Sequence, residues 1–356
     1  IIVYRKDVVK MKKFLSLLMT LIFAVNICFA VEAVNSQNNS YSQDVEFTIS
    51  SMELGDVVET KTLYNISNEP TAYYLGFNKG YLIYGLNGSV IEYSDESFPC
   101  FAGRDTEVYY VGPLQYFFRD ENSYVNFGSN EKLSFEEFKM CYENFEKVES
   151  SLFNNVMEYS VMDTSTPSVY TKQLPAPERC FYWNTDGTCG SLAITMLLIY
   201  YSDIRKSNLI IDYFLNYPRA MYDQIKRYVE IDGDLCPIRQ PTVHGSNPVS
   251  RKLGLDAFLS YYGTVKGKKV HISSDENMSL ITMARMVIGS GGVPGIVAWD
   301  TDNNGLLDHE VFTYGYRKIT LGSKLIRSDF IVNDGWSQSK VFINMDYCGY
   351  FQYLST

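Results

Sequence analysis

Short apolar runs separated by turn residues dominate the pattern of the first half of the chain. Three such runs are Ala72–Phe77, Tyr81–Leu86 and Ser89–Tyr93, and the pair Asn87-Gly88 separates the last two. Asn-Gly between β-prone runs is typical of a hairpin, because both residues tolerate a positive φ. The pattern therefore predicts an antiparallel meander in the first half.

Two helices and a linker are predicted to follow this meander. The helical patterns lie near Pro113–Phe118 and at Ser134–Leu152, and the second is amphipathic and rich in glutamate. The linker, Met162–Glu178, is rich in Ser, Thr and Pro, a composition that resists regular structure and is open to proteolysis. It is the predicted boundary between the two halves.

The second half starts with a different pattern. Leu192–Tyr201 is apolar around nearly the whole helical circumference, which predicts a buried helix at the centre of its domain. The last hundred or so residues alternate β-prone runs with loops. A helix first and strands later predict an α+β architecture.

The residues after Met11 have the pattern of a secretory signal peptide. Two lysines precede an apolar run from Phe14 to Ala30. A transmembrane anchor is the alternative, but the run is short for a bilayer and no positive stop follows. We therefore expect a secreted protein without a stable membrane anchor. The predicted organisation is a signal peptide at 11–30, a β-rich first domain at 31–161, the linker at 162–178 and a second domain at 179–356.

Charge and cysteine spacing exclude several function classes. The net charge of −10 and the pI near 4.9 argue against nucleic acid as a partner. The six cysteines after the predicted signal peptide show no CxxC pair, which argues against a metal knuckle. Asp300–Gly305 resembles the start of a calcium-binding loop, but Val311 stands where the bidentate glutamate should be. We expect neither a metal nor another cofactor.

Cys189 is the first candidate for chemistry. It directly precedes the apolar helix, so the macrodipole and free N–H groups of the helix N-terminus are expected to stabilise its thiolate. The same N–H groups, that of Cys189 included, can receive an oxyanion. A structural buried cysteine is the alternative interpretation.

A nucleophilic thiol needs a base, and His309 is the strongest of the three histidines. It starts a β-prone run, whereas His244 and His271 lie in polar loop segments. Asn333, at the end of a later β-prone run, is expected to orient the imidazole, with Asp334 as the rival for that role. Trp336 is expected to shield the contact between the imidazole and its orienting residue from water.

The order of Cys at a helix start, His at a strand start and Asn before Gly-Trp resembles the papain-like cysteine peptidases. Within them the chain is most similar to the streptopain family of secreted bacterial thiol proteases. Residues 332–336 (VNDGW) resemble that family's Val-Asn-Trp-Gly-Trp, and 244–263 resemble its Gly/Ser-rich loop and following helix. In the first half, 80–85 (GYLIYG) and 88–97 (GSVIEYSDES) resemble its inhibitory propeptide.

The resemblance implies a fold and an activity. The implied fold is a central helix bearing Cys189, packed on an antiparallel sheet or barrel and preceded by an antiparallel β-rich propeptide domain. The implied activity is peptide hydrolysis by Cys189, His309 and Asn333, with protein or peptide substrates and the chain's own propeptide as intramolecular inhibitor.

Two positions depart from the family pattern. Asp308 stands where the family usually has glycine, and Trp183 stands where it has the glutamine of the oxyanion hole. Asn184, one place later, could supply that amide. Two alternatives therefore stay open beside the peptidase: an amidase or transpeptidase acting on cell-wall or leader peptides, and a catalytically dead secreted binding homologue.

Overall fold

The computed structural model describes residues 41–153, 167–177, 188–207, 209–264, 269–273, 278–299, 309–336 and 340–355. The predicted signal peptide at 11–30 lies outside them. Residues 44–356 form one compact unit of mixed α+β architecture. The coarse fold class expected from the sequence is therefore confirmed.

Strands of both halves belong to one large mixed sheet. Its strands are β1 (Val57–Tyr64), β2 (Pro70–Phe77), β3 (Tyr81–Gly85), β4 (Val90–Ser94), β5 (Val108–Tyr110), β6 (Tyr116–Asp120), β7 (Ser123–Asn126), β8 (Lys132–Ser134), β9 (Pro167–Gln173), β10 (Lys269–Ser273), β11 (Gly295–Trp299), β12 (His309–Leu321), β13 (Lys324–Asn333), β14 (Val341–Asn344) and β15 (Tyr350–Ser355). The order is β10-β15-β11-β12-β13-β14-β4-β3-β2-β1-β5-β6-β7-β8, and β9 pairs with β12. The pair β1–β5 is parallel, and the other pairs are antiparallel.

The described α-helices lie around this sheet. They are α1 (Gln43–Met52), α2 (Phe135–Phe153), α3 (Cys189–Asp203), α4 (Asp212–Asn216), α5 (Pro218–Val229), α6 (Pro248–Tyr262) and α7 (Leu280–Ala284). A π-helical turn, Arg285–Ser290, continues α7, and a short 3-10 helix, Met345–Tyr347, follows β14. Among the described helices, none is long and apolar enough to cross a membrane.

The predicted meander is confirmed. Strands β2, β3 and β4 pair in sequence and antiparallel. The turn between β3 and β4 has Gly88 at a φ of 79°, and the N–H of Gly88 donates to the carbonyl of Gly85 over 2.9 Å. Asn87 accepts from the backbone N–H of Ser89. Local turn chemistry thus fixes this part of the sheet.

The first predicted helix is wrong and the second is confirmed. Instead of a helix at Pro113–Phe118, the chain turns at Leu114, whose φ is 60°, and enters strand β6. Aromatic residues favour strands, and β6 pairs with both β5 and β7. Helix α2 starts with a capping box, in which Ser134 and Glu137 bond each other's backbone N–H.

The expectation that the whole linker is irregular is also wrong. Residues 167–173 form β9, which pairs with the distal part of β12 through seven register positions from Gly315 to Leu321. The hydroxyls of Ser168 and Thr320 bond across this pair. The segment contains Thr, Val and Tyr, which favour strands. It forms a strand because it can pair with the distal part of β12.

The two halves are joined through the sheet. Strand β14 of the second half pairs with β4 of the first, with Phe342 opposite Tyr93 and Ile343 opposite Glu92. The rings of Tyr93 and Phe342 stack at 4.7 Å. Strands before and after residues 161–179 belong to this one continuous sheet. The sheet therefore does not test the predicted domain boundaries at 161 and 179, which stay predictions.

Candidate active site

Helix α3 carries Cys189 as its first residue. Every residue from Cys189 to Tyr201 is buried, as expected for a helix that is apolar all round. The helix packs against β12. Burial of both its faces therefore fixes the position of the thiol, which is only 7% exposed.

His309 is the first residue of β12, as predicted, and its imidazole lies between two indoles. The ring of Trp336 stacks on it, with centroids 4.3 Å apart and planes 8° apart. Trp299, its partner in β11, meets it edge-on at 5.3 Å. The indole of Trp336 covers the imidazole as expected, and Trp299 is a second cover that the sequence interpretation missed.

Asn333 ends β13, the neighbouring strand, where it pairs with Phe312 of β12. Its side-chain oxygen accepts from the backbone N–H of Gly335 at 3.0 Å. The carboxylate of Asp334 accepts from the N–H of Trp336 at 2.9 Å. Both side chains therefore shape the turn that brings Trp336 back over His309.

The helix tip and the strand ends face each other. Cys189, Glu310, Asn333, Asp334 and Gly335 line the same narrow cavity between α3 and the ends of β12 and β13. The backbone N–H of Glu310, directly after His309, lies beside the sulfur and favours its ionised form. The structure thus brings Cys189 to the start of the histidine strand. His309 itself is not among the residues that line this space, so the predicted pairing of its imidazole with the sulfur stays a prediction.

The hydrogen bonds of a working triad are not formed in this structure. Among the described residues, no hydrogen bond joins Cys189 to His309 or His309 to Asn333. Nε2 of His309 and Nδ2 of Asn333 are both buried without a partner in that part of the chain. Both groups are therefore available for a further hydrogen bond.

The pKa values of His309 and Cys189 agree with two side chains that are not hydrogen-bonded to each other. They also correct the expectation of a thiolate at Cys189. Burial lowers the pKa of His309 to about 3. Burial first, and then the charges of Glu310 and Glu230, raise the pKa of Cys189 well above its usual value. The expectation of a preformed thiolate is therefore wrong for this structure, because desolvation and two carboxyl groups outweigh the helix N-terminus.

The first half of the chain contacts the turn that carries Trp336. Gly128 lies directly against Trp336: a Cβ at position 128 would come within 2.7 Å of the indole Cδ2. Glu131, in the same loop, contributes to the raised pKa of Cys189. The charge of Asp334 likewise contributes to the raised pKa of Cys100 and of Glu92. Groups of the first half therefore lie close to the thiol and to the turn after Asn333.

Several predicted positions remain untested or lie away from the site. Asn184, proposed for the oxyanion hole, and Asp308 lie outside the described residues, as does the Asp300–Gly305 loop. His244 is exposed, and its Nδ1 lies 2.8 Å from the carboxylate of Asp232. His271 lies in strand β10 rather than in the turn that the sequence suggested, and its side chain is outside the described part.

Sequence reasoning also missed a buried polar group beneath the helix tip. Glu310, Arg251 and Ser246 bond one another there, and Arg251 also donates to Gln352. Glu310, at the start of the apolar run of β12, was the available signal in the sequence. Among the described residues, no group of three potential metal ligands is present.

No protein-family model and no curated protein matches this chain. Any functional conclusion therefore rests on the site itself.

Proposed function

We propose that this chain is the latent precursor of a secreted, papain-like cysteine peptidase. Cys189 is the nucleophile, His309 its base, and Asn333 the residue that orients the imidazole. The first half is the inhibitory propeptide. The substrates are proteins or peptides, and no cofactor takes part.

One observation supports the proposal most strongly. The thiol at the tip of a fully buried helix and the turn after Asn333 line one cavity, at the start of the strand that His309 begins. His309 and Asn333 lie 120 and 144 positions after Cys189 in the chain. Acyl transfer requires a nucleophile, a base and an orienting amide close together, and this arrangement brings Cys189 and Asn333 to the strand that carries His309.

The chemistry follows from these groups. His309 takes the thiol proton, and the sulfur attacks a peptide carbonyl to form a tetrahedral intermediate. The N–H of Cys189 and the amide of Asn184 are the proposed oxyanion donors, each worth roughly a few kcal/mol in such sites. His309 then protonates the leaving amine and activates the water that hydrolyses the acyl-enzyme.

Latency explains why the site is closed. A neutral thiol and a neutral imidazole without a mutual hydrogen bond are an inactive pair. The loop around Gly128 packs on Trp336, which in turn stacks on His309. Removal of the first half would free Trp336 and admit water and substrate, so that the imidazole can turn toward the sulfur and toward Asn333.

The same disengaged pair favours a second candidate, a catalytically silent binding homologue. In that case the missing hydrogen bonds would persist after the first half is removed. An amidase or transpeptidase on cell-wall or leader peptides would use the same residues, because a fold does not determine its substrate.

Hydrolysis after proteolytic release separates these candidates. The purified full chain is nicked with a trace of an unrelated protease and then assayed, after that protease is inhibited, on casein and on peptidoglycan fragments. A peptidase cleaves casein only after nicking, and Cys189→Ala and His309→Ala each reduce the rate at least a thousandfold, in line with the loss of a nucleophile or base.

Two matched variants serve as controls. Cys236→Ala removes another buried thiol, and His244→Ala removes an exposed histidine, so both should hydrolyse casein like the parent. Hydrolysis of peptidoglycan fragments but not of casein would support the amidase. If the nicked chain hydrolyses neither casein nor peptidoglycan fragments, the catalytically silent homologue is supported.

A further inference from the structure

The carboxylate of Glu310 occupies the space beside the first turn of α3. A Cβ at Gly190, the residue after the nucleophile, would lie 1.9 Å from Oε2 of Glu310 and 2.4 Å from Oγ of Ser246. Only glycine fits at that position while the carboxylate is there. Glu310 and Cys189 also line the same narrow cavity.

This carboxylate is firmly held. Ser246 donates to both of its oxygens, at 2.9 and 3.1 Å, and Arg251 forms an ion pair with it. The side chains of Arg251 and Glu310 are 1% and 0% exposed, respectively. A buried ion pair with an added hydroxyl donor keeps its geometry, because breaking it would leave an uncompensated charge.

The position of this charge matters for the thiol. A helix N-terminus stabilises nearby negative charge, and the carboxylate of Glu310, paired with Arg251, lies beside the first turn of α3. A thiolate at Cys189 would be a second anion in the same buried space. The other ionisable groups around the thiol do not reverse this effect. They are Glu230 at the end of α5, Glu131 in the loop of the first half, Asp334 after β13 and the already paired Arg251.

We propose that Glu310 is a positioning residue that determines when Cys189 ionises. Held by Arg251 and Ser246, it competes with the thiolate for the helix N-terminus and keeps the nucleophile protonated at neutral pH. The sulfur then depends on His309 to remove its proton during attack, instead of forming a standing ion pair with it. This inference deepens the proposed function, since it concerns control of the same thiol.

The test measures ionisation and needs no hydrolysis. Thiolate absorbance near 240 nm is followed from pH 6 to 11 in the full chain, and the curve of the matching Cys189→Ala protein is subtracted. Glu310→Gln keeps the shape and the hydrogen-bond acceptor but removes the charge. We expect its thiol to titrate at a pH lower by about one or more, which gives roughly tenfold more thiolate at pH 8.

Two further variants separate charge from structure. Glu310→Asp keeps the charge and should keep the parent titration within about half a pH unit, a shift worth roughly threefold in thiolate. Asp329→Asn breaks another fully buried ion pair, that with Arg327, and should leave Cys189 unchanged. Circular dichroism confirms that each protein is folded.

Three results would overturn the inference: the same midpoint in Glu310→Gln as in the parent, an equal shift in Asp329→Asn, or no ionisation in any protein up to pH 11. None of these depends on casein. A lowered midpoint in a protein that never cleaves casein would support the inference while rejecting the proposed peptidase.

Discussion

Burial decides the protonation of both reactive side chains. His309 is 1% exposed and lies between two indoles, so its charged form is strongly disfavoured. Cys189 is nearly as buried and has carboxyl groups around it. Burial thus favours the neutral form of both side chains, which is a property of the folded chain and not of either residue type.

A pH-dependent stability follows from His309. Its pKa falls from 6.5 in the unfolded chain to about 3 in the folded one, so folding excludes its proton. The stability of the full chain is therefore complete above pH 6.5 and is lost as the pH falls toward 3, by on the order of 2–4 kcal/mol at pH 4 from this group alone.

Urea unfolding at pH 7 and at pH 4 measures this loss. His309→Gln, which cannot ionise, should lose less stability between the two pH values than the parent. His244→Ala, at an exposed position, should behave like the parent. An equal loss in His309→Gln and in the parent would show that His309 is already protonated in the fold.

At this scale the sequence predicted residue identities but not their chemical state. Cys189, His309 and Asn333 could be found from their places at the start or end of an apolar run. The ionisation of Cys189 depends on Glu310 and Glu230, which lie 121 and 41 positions away, and that of His309 depends on its burial beside Trp336, 27 positions away. Single-sequence patterns carry no information about such non-local charges and covers.

The key contact between elements is that of helix α3 with strand β12. The two pack so closely at the helix tip that the side chain of Glu310 fills the space above Gly190. A methyl group there must displace a bonded carboxylate and a hydroxyl, both of them buried. The contact therefore holds Cys189 at a fixed depth relative to the strand.

Gly190→Ala tests this contact. We expect it to lower the free energy of unfolding by about 1–3 kcal/mol, as overpacking of a filled site does. Gly349→Ala is the matched control, because its Cβ would meet only the carbonyl of Ala298 at 3.8 Å, an ordinary contact. Chemical denaturation of both variants decides the matter, and equal stabilities would contradict the packing described here.

Elements with strong local signals were predicted well. The Asn87-Gly88 hairpin and the uniformly apolar α3 needed no tertiary partner to be recognised. Strands β6 and β9 were missed, because their pairing partners lie elsewhere: β5 and β7 flank β6, and β12 accepts β9. When a sequence does not favour one secondary structure strongly, pairing with a neighbouring strand decides that it becomes a strand.

At the scale of the whole molecule, the first half contacts the turn that carries Trp336. The two halves share a sheet through β4 and β14, and the loop at Gly128 presses on Trp336. The sequence suggested an inhibitory first half from a resemblance alone. This loop contacts the ring of Trp336, which stacks on His309. No pattern along the chain could have shown these contacts.

Gly128→Ala should loosen this cover without any proteolysis. Its methyl group would come within 2.7 Å of the Trp336 indole, so the loop or the ring must move. We expect iodoacetamide to modify Cys189 several-fold faster in the intact variant than in the intact parent, as read by peptide mass spectrometry. Gly349→Ala should label like the parent, and an unchanged rate in Gly128→Ala would argue that this loop does not limit access.

The most direct test of the whole account is whether Cys189 becomes reactive through His309 once the first half is removed. The measurement is the rate at which a peptidyl epoxide labels Cys189 at pH 7, in intact and nicked chains, for the parent and for His309→Ala. We expect labelling only in the nicked parent, at least a hundredfold faster than in either the intact parent or nicked His309→Ala. Equal labelling of nicked parent and nicked His309→Ala would contradict the pairing of these two residues.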